Sequence, residues 1–289
     1  MSLKTWAAGA RPRTLPAAVV PVTVGTAVAA SQGEVVWWRA AAALVVALAI
    51  QVGTNYANDY SDGIRGTDDA RVGPVRLVAS GLRSPTAVKR AAFVSFALAA
   101  VVGVALAASV SWWLLALGAA CFAAGWFYTG GSHPYGYAAL GEVSVFVFFG
   151  LVATVGSAYV HLGQVTLLSV GVSVPVGTLA AALLVANNLR DIGTDTAAGK
   201  RTLAVRLGDG ETRVLYNVLA LAAPAGATLL IAVVRPWVLL ALVGLAVGLG
   251  PAARVRQGAT GRDLIPVLVR TGQVQLLYGL LLAAGVALR

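Results

Sequence analysis

Long apolar runs recur along almost the whole chain, from Leu15 to Leu288. Each run has roughly the 20 residues that a helix needs to cross the hydrocarbon core of a bilayer. The pattern predicts nine transmembrane helices, approximately at 15–31, 36–57, 90–109, 111–128, 139–160, 165–189, 214–234, 236–253 and 270–288. We therefore expect an all-α polytopic membrane protein in which residues 1–289 form a single transmembrane domain.

The composition excludes an ordinary soluble enzyme. Hydrophobic residues make up 58% of the chain and charged residues 11%, whereas a typical soluble domain has about 25% charged residues. The first apolar run continues to about Ala30 and is followed by further runs, so we interpret it as a transmembrane helix and not as a cleaved signal peptide. The single cysteine, Cys121, rules out an intramolecular disulfide.

The distribution of basic residues orients the predicted helices. A net charge of +10 would suggest nucleic acid in a soluble chain, but the Lys and Arg residues here lie in the connections between apolar runs, so we expect no nucleic-acid binding. With nine spans, 18 of the 21 basic residues fall on one side of the membrane. The positive-inside rule then predicts that the N-terminus and the second, sixth and eighth connections are cytoplasmic. We expect a cell-membrane protein in contact with lipid, with no obligate protein partner.

The two long cytoplasmic connections concentrate the acidic residues. In the second one, Asn187, Asp191 and Asp195 follow one another at intervals of four, which stacks their side chains along one face of a helix. Carboxylates placed in this way repel each other unless a cation joins them. Six of the eleven acidic residues lie in the first half of these two connections: Asp59, Asp62, Asp68, Asp69, Asp191 and Asp195.

The first connection begins with the same spacing, because Asn58 and Asp62 are also four residues apart. Gly63 and Gly66 then weaken the helix, and Asp68 falls beyond it, so a third ligand must come from unwound backbone. An offset of 129 residues relates the Asn-Asp pair of the first connection to that of the second, which indicates an internal repeat. For Asp59, a ligand role and a supporting role both stay open.

These residue types indicate a magnesium site that binds a diphosphate. Carboxylate and amide oxygens without His or Cys suit Mg²⁺, which commonly binds one or two carboxylates together with substrate phosphates. The basic residues beside the two clusters are Arg65, Arg71, Arg76, Arg190, Lys200 and Arg201. In a membrane protein, this combination points to a lipid diphosphate whose tail lies between the helices and whose leaving group is stabilised by metal and cationic side chains.

The same residues resemble the paired aspartate motifs of the UbiA superfamily of intramembrane aromatic prenyltransferases. The two matching motifs are NDYSD at 58–62 and NLRDIGTD at 188–195. Further segments are similar to the branch that acts on 1,4-dihydroxy-2-naphthoate in menaquinone synthesis: NDYSDGIRGTD at 58–68, YTGG at 128–131, Pro134, Tyr137, Gly141 with Glu142, and GKRTLAVRLG at 199–208. The resemblance spans essentially the whole chain.

This resemblance implies nine helices around a central cavity and a magnesium-dependent transfer of a polyprenyl group from a polyprenyl diphosphate to 1,4-dihydroxy-2-naphthoate. The branch also implies loss of CO₂, release of diphosphate and formation of demethylmenaquinone. Residue by residue, it implies two magnesium sites, one at Asn58, Asp62 and Asp68 and the other at Asn188, Asp191 and Asp195. Arg65, Lys200 and Arg201 would bind diphosphate. Spacing favours Asn187 over Asn188, so which of the two faces the metal stays open.

Four further polar residues are candidates for the site. Glu142 is the sole carboxylate well inside the predicted spans, and it could orient the aromatic hydroxyl or act as a general base. Gln51 and Asn55 continue the Asn58 face into the second span and are expected to line the cavity. Tyr128 could help to shield a carbocation through its ring.

Two alternatives to the naphthoate reaction stay open. The enzyme could act on another aromatic acceptor, such as 4-hydroxybenzoate or homogentisate. The chain could also be a secondary transporter, since internal repeats and intramembrane carboxylates occur there as well, although transporters place such groups near the bilayer midplane.

Overall fold

A computed structural model describes residues 3–67, 73 and 75–288, and this part of the chain is helical without β-strands. Its α-helices are α1 Leu3–Ala10, α2 Pro16–Ala30, α3 Trp37–Arg65, α4 Pro85–Ser109, α5 Trp113–Phe127, α6 Gly141–Val145, α7 Ala153–Leu162, α8 Leu167–Ala197, α9 Leu203–Asn217, α10 Ala223–Ala232, α11 Ala241–Val247, α12 Leu249–Arg256 and α13 Leu264–Ala287. π-Helical segments at Phe146–Val152 and Val218–Ala222 join α6 to α7 and α9 to α10. Short 3-10 turns lie at Pro12–Thr14, Tyr135–Ala138, Pro236–Leu240 and Gly261–Asp263.

The helices are those of a multi-pass membrane protein. Among the described residues, six stretches are long and apolar enough to cross a membrane, or up to eight if two bent pairs count as one span each. The bent pairs are Leu3–Thr14 with Pro16–Ala30, at 53°, and Pro236–Val247 with Leu249–Arg256, at 43°. α5 is apolar but has 15 residues. Every predicted span coincides with a helix or a bent pair, and the total of nine stays a prediction.

Two helices extend beyond the apolar runs that predict them. α3 continues to Arg65, where Gly66 adopts φ 69° and caps the helix, and α8 continues to Ala197. Hydropathy marks only the apolar part of a helix, whereas backbone hydrogen bonding continues into polar residues. Asn58 and Asp62 therefore lie on α3, and the Asn-Asp-Asp series of the second motif lies on α8, as their spacing predicts.

α8 is the most deeply packed long helix. It contacts α9, α10, α13 and the π-helical segment Phe146–Val152. In the rest of the bundle, α2 packs between α7 and α13, and α3 packs along α4. The contact of α8 with the π-helical segment depends on two glycines. A Cβ on Gly150 would lie 2.5 Å from the Cα of Gly177, so no side chain fits between the two backbones.

One large cavity of about 960 Å³ lies inside the bundle. The cavity starts near the C-terminal ends of α3 and α8, next to the aspartates. We call this side of the molecule the aspartate end and the opposite side the far end. From the aspartate end the cavity continues toward the far end. Along α3 its lining extends from Asn58 to Ala43, about 22 Å at the rise of an α-helix. The expectation of a cavity inside a helical bundle is thus met.

Candidate active site

Asp62 of α3 is buried and contacts groups from three other parts of the chain. The hydroxyl of Tyr137 donates to its Oδ1 at 2.5 Å. The ammonium of Lys200 lies 3.8 Å from Oδ1, and a guanidinium nitrogen of Arg76 lies 3.8 Å from Oδ2. Asp62 is 3% exposed, and its carboxylate is held at the aspartate end of the cavity by one hydrogen bond and two ion pairs.

The two aspartates of α8 are also paired with cations. Arg190 donates from Nε and from a terminal nitrogen to the two oxygens of Asp191, both at 2.7 Å, which is a bidentate pair. Asp195 lies 3.6 Å from the ammonium of Lys200, the same group that contacts Asp62. Lys200 therefore links the two aspartate motifs. Neither motif taken alone predicts this link.

The three asparagines of the motifs have different partners. Asn58 accepts a hydrogen bond from the Thr129 hydroxyl through Oδ1 at 2.8 Å. Asn187 lines the cavity and accepts from Arg190 at 2.9 Å. Asn188 donates to Glu142 Oε1 at 2.8 Å. Of the two candidates on α8, Asn187 is the one that faces the cavity.

Glu142 is buried beside the cavity and is not among the described residues that line it. Its Oε1 accepts from Asn188, whereas its Oε2 is a buried acceptor that has no hydrogen-bond partner among the described residues. The carboxylate therefore positions the start of α6 against α8. Its predicted part in catalysis stays a prediction.

Tyr137 lies between two cations. The Lys200 ammonium is 4.8 Å from its ring centroid and the Arg65 guanidinium carbon is 5.7 Å from it. Arg65 is fastened by hydrogen bonds to the carbonyls of Thr129 and Gly131. Burial, together with the nearby Asp62 carboxylate, raises the pKa of Tyr137 above its ordinary value, so the phenol stays protonated and donates to Asp62.

Three predicted cavity residues do line the cavity. Gln51 donates to the Thr14 hydroxyl at 2.9 Å, and Asn55 donates to the Ala10 carbonyl at 2.9 Å. Both amides therefore hold the break between α1 and α2 against α3. Tyr128 also lines the cavity, and its ring packs edge-on against Tyr135.

Other predicted residues lie elsewhere. The side chain of Arg201 is exposed, and its backbone N–H donates to the Tyr137 carbonyl at 3.0 Å. Asp68, the predicted third ligand of the first motif, lies outside the described residues. Asp59 accepts from the backbone N–H groups of Leu77 and Val78 at 2.8 and 3.0 Å. That geometry assigns Asp59 a supporting role, because both of its oxygens hold the connection after α3.

Sequence reasoning missed Tyr137 as an Asp62 partner and Arg190 as the clamp of Asp191. Arg190 is adjacent to Asp191, so its proximity was visible but the bidentate geometry was not. Tyr137 is 75 residues from Asp62, and no local pattern joins them.

The carboxylate oxygens of the site are the type of donor atom that a hard divalent cation prefers. In the described part of the chain, no three His, Cys, Asp or Glu side chains form a ready-made metal cluster. The candidate donors at this end are oxygens, from the buried Asp62, Asp191 and Asp195 and from the half-buried amides of Asn58 and Asn187. Oxygen-only sets of this kind suit Mg²⁺, which also keeps waters and binds substrate phosphates.

Comparison with known proteins identifies the family. The UbiA prenyltransferase family matches residues 18–287. The chain is 52% identical to the 1,4-dihydroxy-2-naphthoate octaprenyltransferase of Mycobacterium tuberculosis, over 99% of this chain and 98% of that protein. It is 50% identical to the Mycobacterium leprae protein of the same name, over 99% and 97% of the two chains.

A solved structure has the same fold. A UbiA homolog from Archaeoglobus fulgidus bound to GPP and Mg²⁺ superposes with a TM-score of 0.64 over 96% of this chain and 99% of that one, at 16% identity. A likeness at this identity shows the fold alone. The buried aspartate pairs above an apolar cavity, the family match over nearly the whole chain and the full-length relatives agree: the chain belongs to the UbiA prenyltransferase family.

Proposed function

We propose that this protein transfers a polyprenyl group from a polyprenyl diphosphate to 1,4-dihydroxy-2-naphthoate, with release of diphosphate and CO₂, in menaquinone biosynthesis. The names of the relatives at 52% and 50% identity support the acceptor. One observation carries the chemistry. Asp62 and Asp195, from separate motifs, lie within 4 Å of one ammonium at the end of an apolar cavity of about 960 Å³.

The protein would use Mg²⁺, held by Asp62, Asp191 and Asp195 with the amide oxygens of Asn58 and Asn187. The bound metal would neutralise the charge that develops on the diphosphate leaving group. Asn187 is preferred over Asn188 because it lines the cavity, whereas Asn188 is bonded to Glu142. Asp68 stays a ligand proposed from the sequence. The A. fulgidus homolog, whose structure holds both Mg²⁺ and GPP, supports the choice of metal.

The cationic side chains would bind the diphosphate. Lys200, Arg190 and Arg76 are each less than a tenth exposed and already pair with the three aspartates. When substrate enters, these cations can exchange a carboxylate partner for a phosphate oxygen without leaving their places. Charges fixed in advance in this way stabilise a transition state at little reorganisation cost.

The proposed reaction balances without a net proton. The C–O bond to the diphosphate breaks, a C–C bond forms between the prenyl carbon and the ring carbon that bears the carboxylate, and the carboxylate leaves that carbon as CO₂. The electron pair of the bond to the carboxylate restores the aromatic ring, so no base has to remove a ring proton. The rings of Tyr128, Phe148 and Phe149 line the cavity and would limit the access of water to the cationic carbon.

We also place the aspartate end in the cytoplasm and the protein in the cell membrane. The distribution of 18 basic residues on the side of the aspartate connections supports this orientation. Labelling of single cysteines in intact cells tests it. A cysteine at exposed Arg201 should resist an impermeant reagent, whereas one at exposed Gln32 should react.

The deciding experiment is product formation by the purified protein with 1,4-dihydroxy-2-naphthoate and geranylgeranyl diphosphate, with and without Mg²⁺, followed by mass spectrometry. We expect a magnesium-dependent product with the mass of the prenylated, decarboxylated naphthalenediol. A product only with 4-hydroxybenzoate or homogentisate would reject the naphthoate acceptor and keep the prenyl transfer. The absence of a product with every acceptor would reject the proposal.

A further inference from the structure

The cavity has an apolar floor near the far end of the molecule. Val22, Ala43, Leu106 and Val160 form a buried cluster, with Leu114 packed against it, and all five line the cavity. Arg39 fixes this floor from the far side, because its guanidinium donates to the carbonyls of Val160 and Ser109, each at 2.9 Å. The floor is therefore a fastened part of the bundle.

Three glycines lie directly above this floor, one on each of α4, α5 and α7. Gly103 precedes Leu106 by three residues and Gly156 precedes Val160 by four, whereas Gly118 follows Leu114 by four. Residues three or four apart share one face of a helix, so each glycine is one turn above the floor residue of its own helix.

The three glycines also lie at similar distances from the far ends of their helices. Each is five or six residues from the residue at the far end of its own helix. These end residues are Ser109 of α4, Trp113 of α5 and Leu162 of α7. At the rise of an α-helix this is about 8–9 Å from that end. We call Gly103, Gly118 and Gly156 the glycine level.

The space beside these glycines is the cavity. All three line it, and a Cβ added to any of them would have no side chain or facing backbone of the described part of the chain within 4 Å. Glycines elsewhere in the bundle differ. A Cβ on Gly25 would lie 2.5 Å from the Thr154 carbonyl oxygen, so that glycine serves helix packing. Gly226 of α10 is also open to an added Cβ, but it is not among the lining residues.

We infer that the glycine level and the floor beneath it set the longest prenyl tail that the protein accepts. This inference rests on the proposed function. The diphosphate would be held at the aspartate end, so the tail must extend along the cavity toward the floor. From Asp62 to Ala43, α3 covers about 28 Å, close to the roughly 30 Å of a hydrocarbon core. The lining from α8 reaches only to Ala180, so the helices of the glycine level, with α2 and α3, line the far half.

The test changes the level in both directions. Gly118→Leu and Gly156→Leu fill it from two different helices, and Leu114→Ala and Val160→Ala lower the floor. Gly226→Leu adds the same side chain outside the cavity and is the matched control. Each purified variant receives geranyl, geranylgeranyl and octaprenyl diphosphate with Mg²⁺ and 1,4-dihydroxy-2-naphthoate, and kcat/KM is measured for each tail.

We expect each Leu variant to lose at least about tenfold in kcat/KM for octaprenyl relative to geranyl diphosphate, since a single methylene in an apolar pocket can discriminate by 10-fold or more. The Ala variants should shift preference toward the longer tail, and Gly226→Leu should match the wild type. Size-exclusion profiles in detergent confirm folding. The two Leu positions lie on separate helices, so one misfolded variant does not remove the test.

The outcomes separate the two proposals. Leu variants that are folded and turn over all three tails in the wild-type ratio would overturn the inference and leave the proposed function intact. An equal loss for all three tails would also overturn it, because the added side chain would then act on the reaction itself. Wild-type protein that prenylates no acceptor with any tail would instead overturn the proposed function.

Discussion

The aspartate segments of α3 and α8 carry the same Asn-Asp spacing, yet the fold holds them in different ways. Asp62 of α3 is contacted by side chains from three other parts of the chain, Arg76, Tyr137 and Lys200. Asp191 of α8 is clamped by its own neighbour, Arg190. Equal spacing therefore places each carboxylate about one helical turn after its asparagine, whereas its partners come from distant parts of the chain for Asp62 and from the adjacent residue for Asp191.

The two segments also differ at other positions that the offset of 129 residues relates. It pairs Asp59 with Asn188, and these hold different partners, the backbone after α3 and Glu142. It also pairs Gly66 with Asp195. α3 ends at Arg65, just before Gly66, whereas α8 continues past Asp195 to Ala197. One segment thus keeps its third polar residue on a helix, whereas the third ligand predicted for the other, Asp68, comes after the end of α3 in the sequence.

The largest expected effect tests whether the two segments are equally necessary. Asp62→Asn and Asp191→Asn should each lower kcat by about 10²–10³, the range seen when one group that stabilises transition-state charge is removed. Initial rates at saturating Mg²⁺ measure this. Asp209→Asn is the control, because its side chain is 58% exposed and paired with Arg213. A near wild-type rate in either active-site variant would contradict the two-segment site.

The next effect tests the link between the segments. Lys200→Gln removes the ammonium that contacts Asp62 and Asp195, and we expect kcat/KM for the prenyl diphosphate to fall about 10²-fold. Lys89→Gln is the comparison, because its ammonium lies 5.5 Å from the Tyr60 ring centroid. If the two lysine variants behave alike, Lys200 does not bridge the segments in catalysis.

A smaller effect should appear in the α3 segment alone. Tyr137→Phe removes a donor to a charged acceptor, which contributes about 1.5–3 kcal/mol, so we expect the rate to fall at least about tenfold. Because burial and Asp62 raise the pKa of Tyr137, the wild-type phenol stays protonated up to its ordinary pKa of about 10 and beyond.

The pH profile provides the check on this tyrosine. Rates measured from about pH 6 to 9 should therefore give parallel curves for wild type and Tyr137→Phe. Tyr135 lies on the same 3-10 turn as Tyr137, and its hydroxyl donates to the Ala124 carbonyl of α5. Tyr135→Phe removes that hydroxyl and should retain more activity than Tyr137→Phe. An alkaline limb that disappears only in Tyr137→Phe would show that the phenol ionises, against our expectation.

The smallest effect on rate, with a clear effect on stability, is expected for Asp59→Asn. An amide can accept only one of the two backbone N–H groups that the carboxylate holds, so one buried donor is left unpaired. The free energy of unfolding should fall by about 1–3 kcal/mol, measured by thermal unfolding in detergent. Asp263→Asn, at an exposed position, is the control. A loss of rate as large as that of Asp62→Asn would return Asp59 to the ligand set.

Local patterns predict the parts of this protein that depend on local physics. The apolar runs predict where helices cross the membrane, because the length of a span follows from bilayer thickness. The four-residue spacing predicts that Asp191 and Asp195 share a helix face, because the turn of a helix is fixed. The same reasoning stops at the end of an apolar run, so it placed the end of the second span at about 57, eight residues before α3 ends at Arg65.

Contacts between distant residues needed the tertiary structure. Lys200 is 138 residues from Asp62 and Tyr137 is 75 residues from it, and no local period relates such positions. The choice between Asn187 and Asn188 was likewise open, because adjacent residues on a helix point about 100° apart and only packing decides which one meets the cavity.

Residue types and short-range spacing are enough to predict a polytopic helical bundle, its two aspartate motifs and the oxygen-rich chemistry of its candidate site, since each is a local property of the chain. The packed helices were needed to show that Lys200 contacts both Asp62 and Asp195, that Asp59 supports the backbone after α3 and that three glycines line the cavity above its floor. These features depend on the approach of helices far apart in the chain, and that approach is set by packing between side chains that no single segment contains.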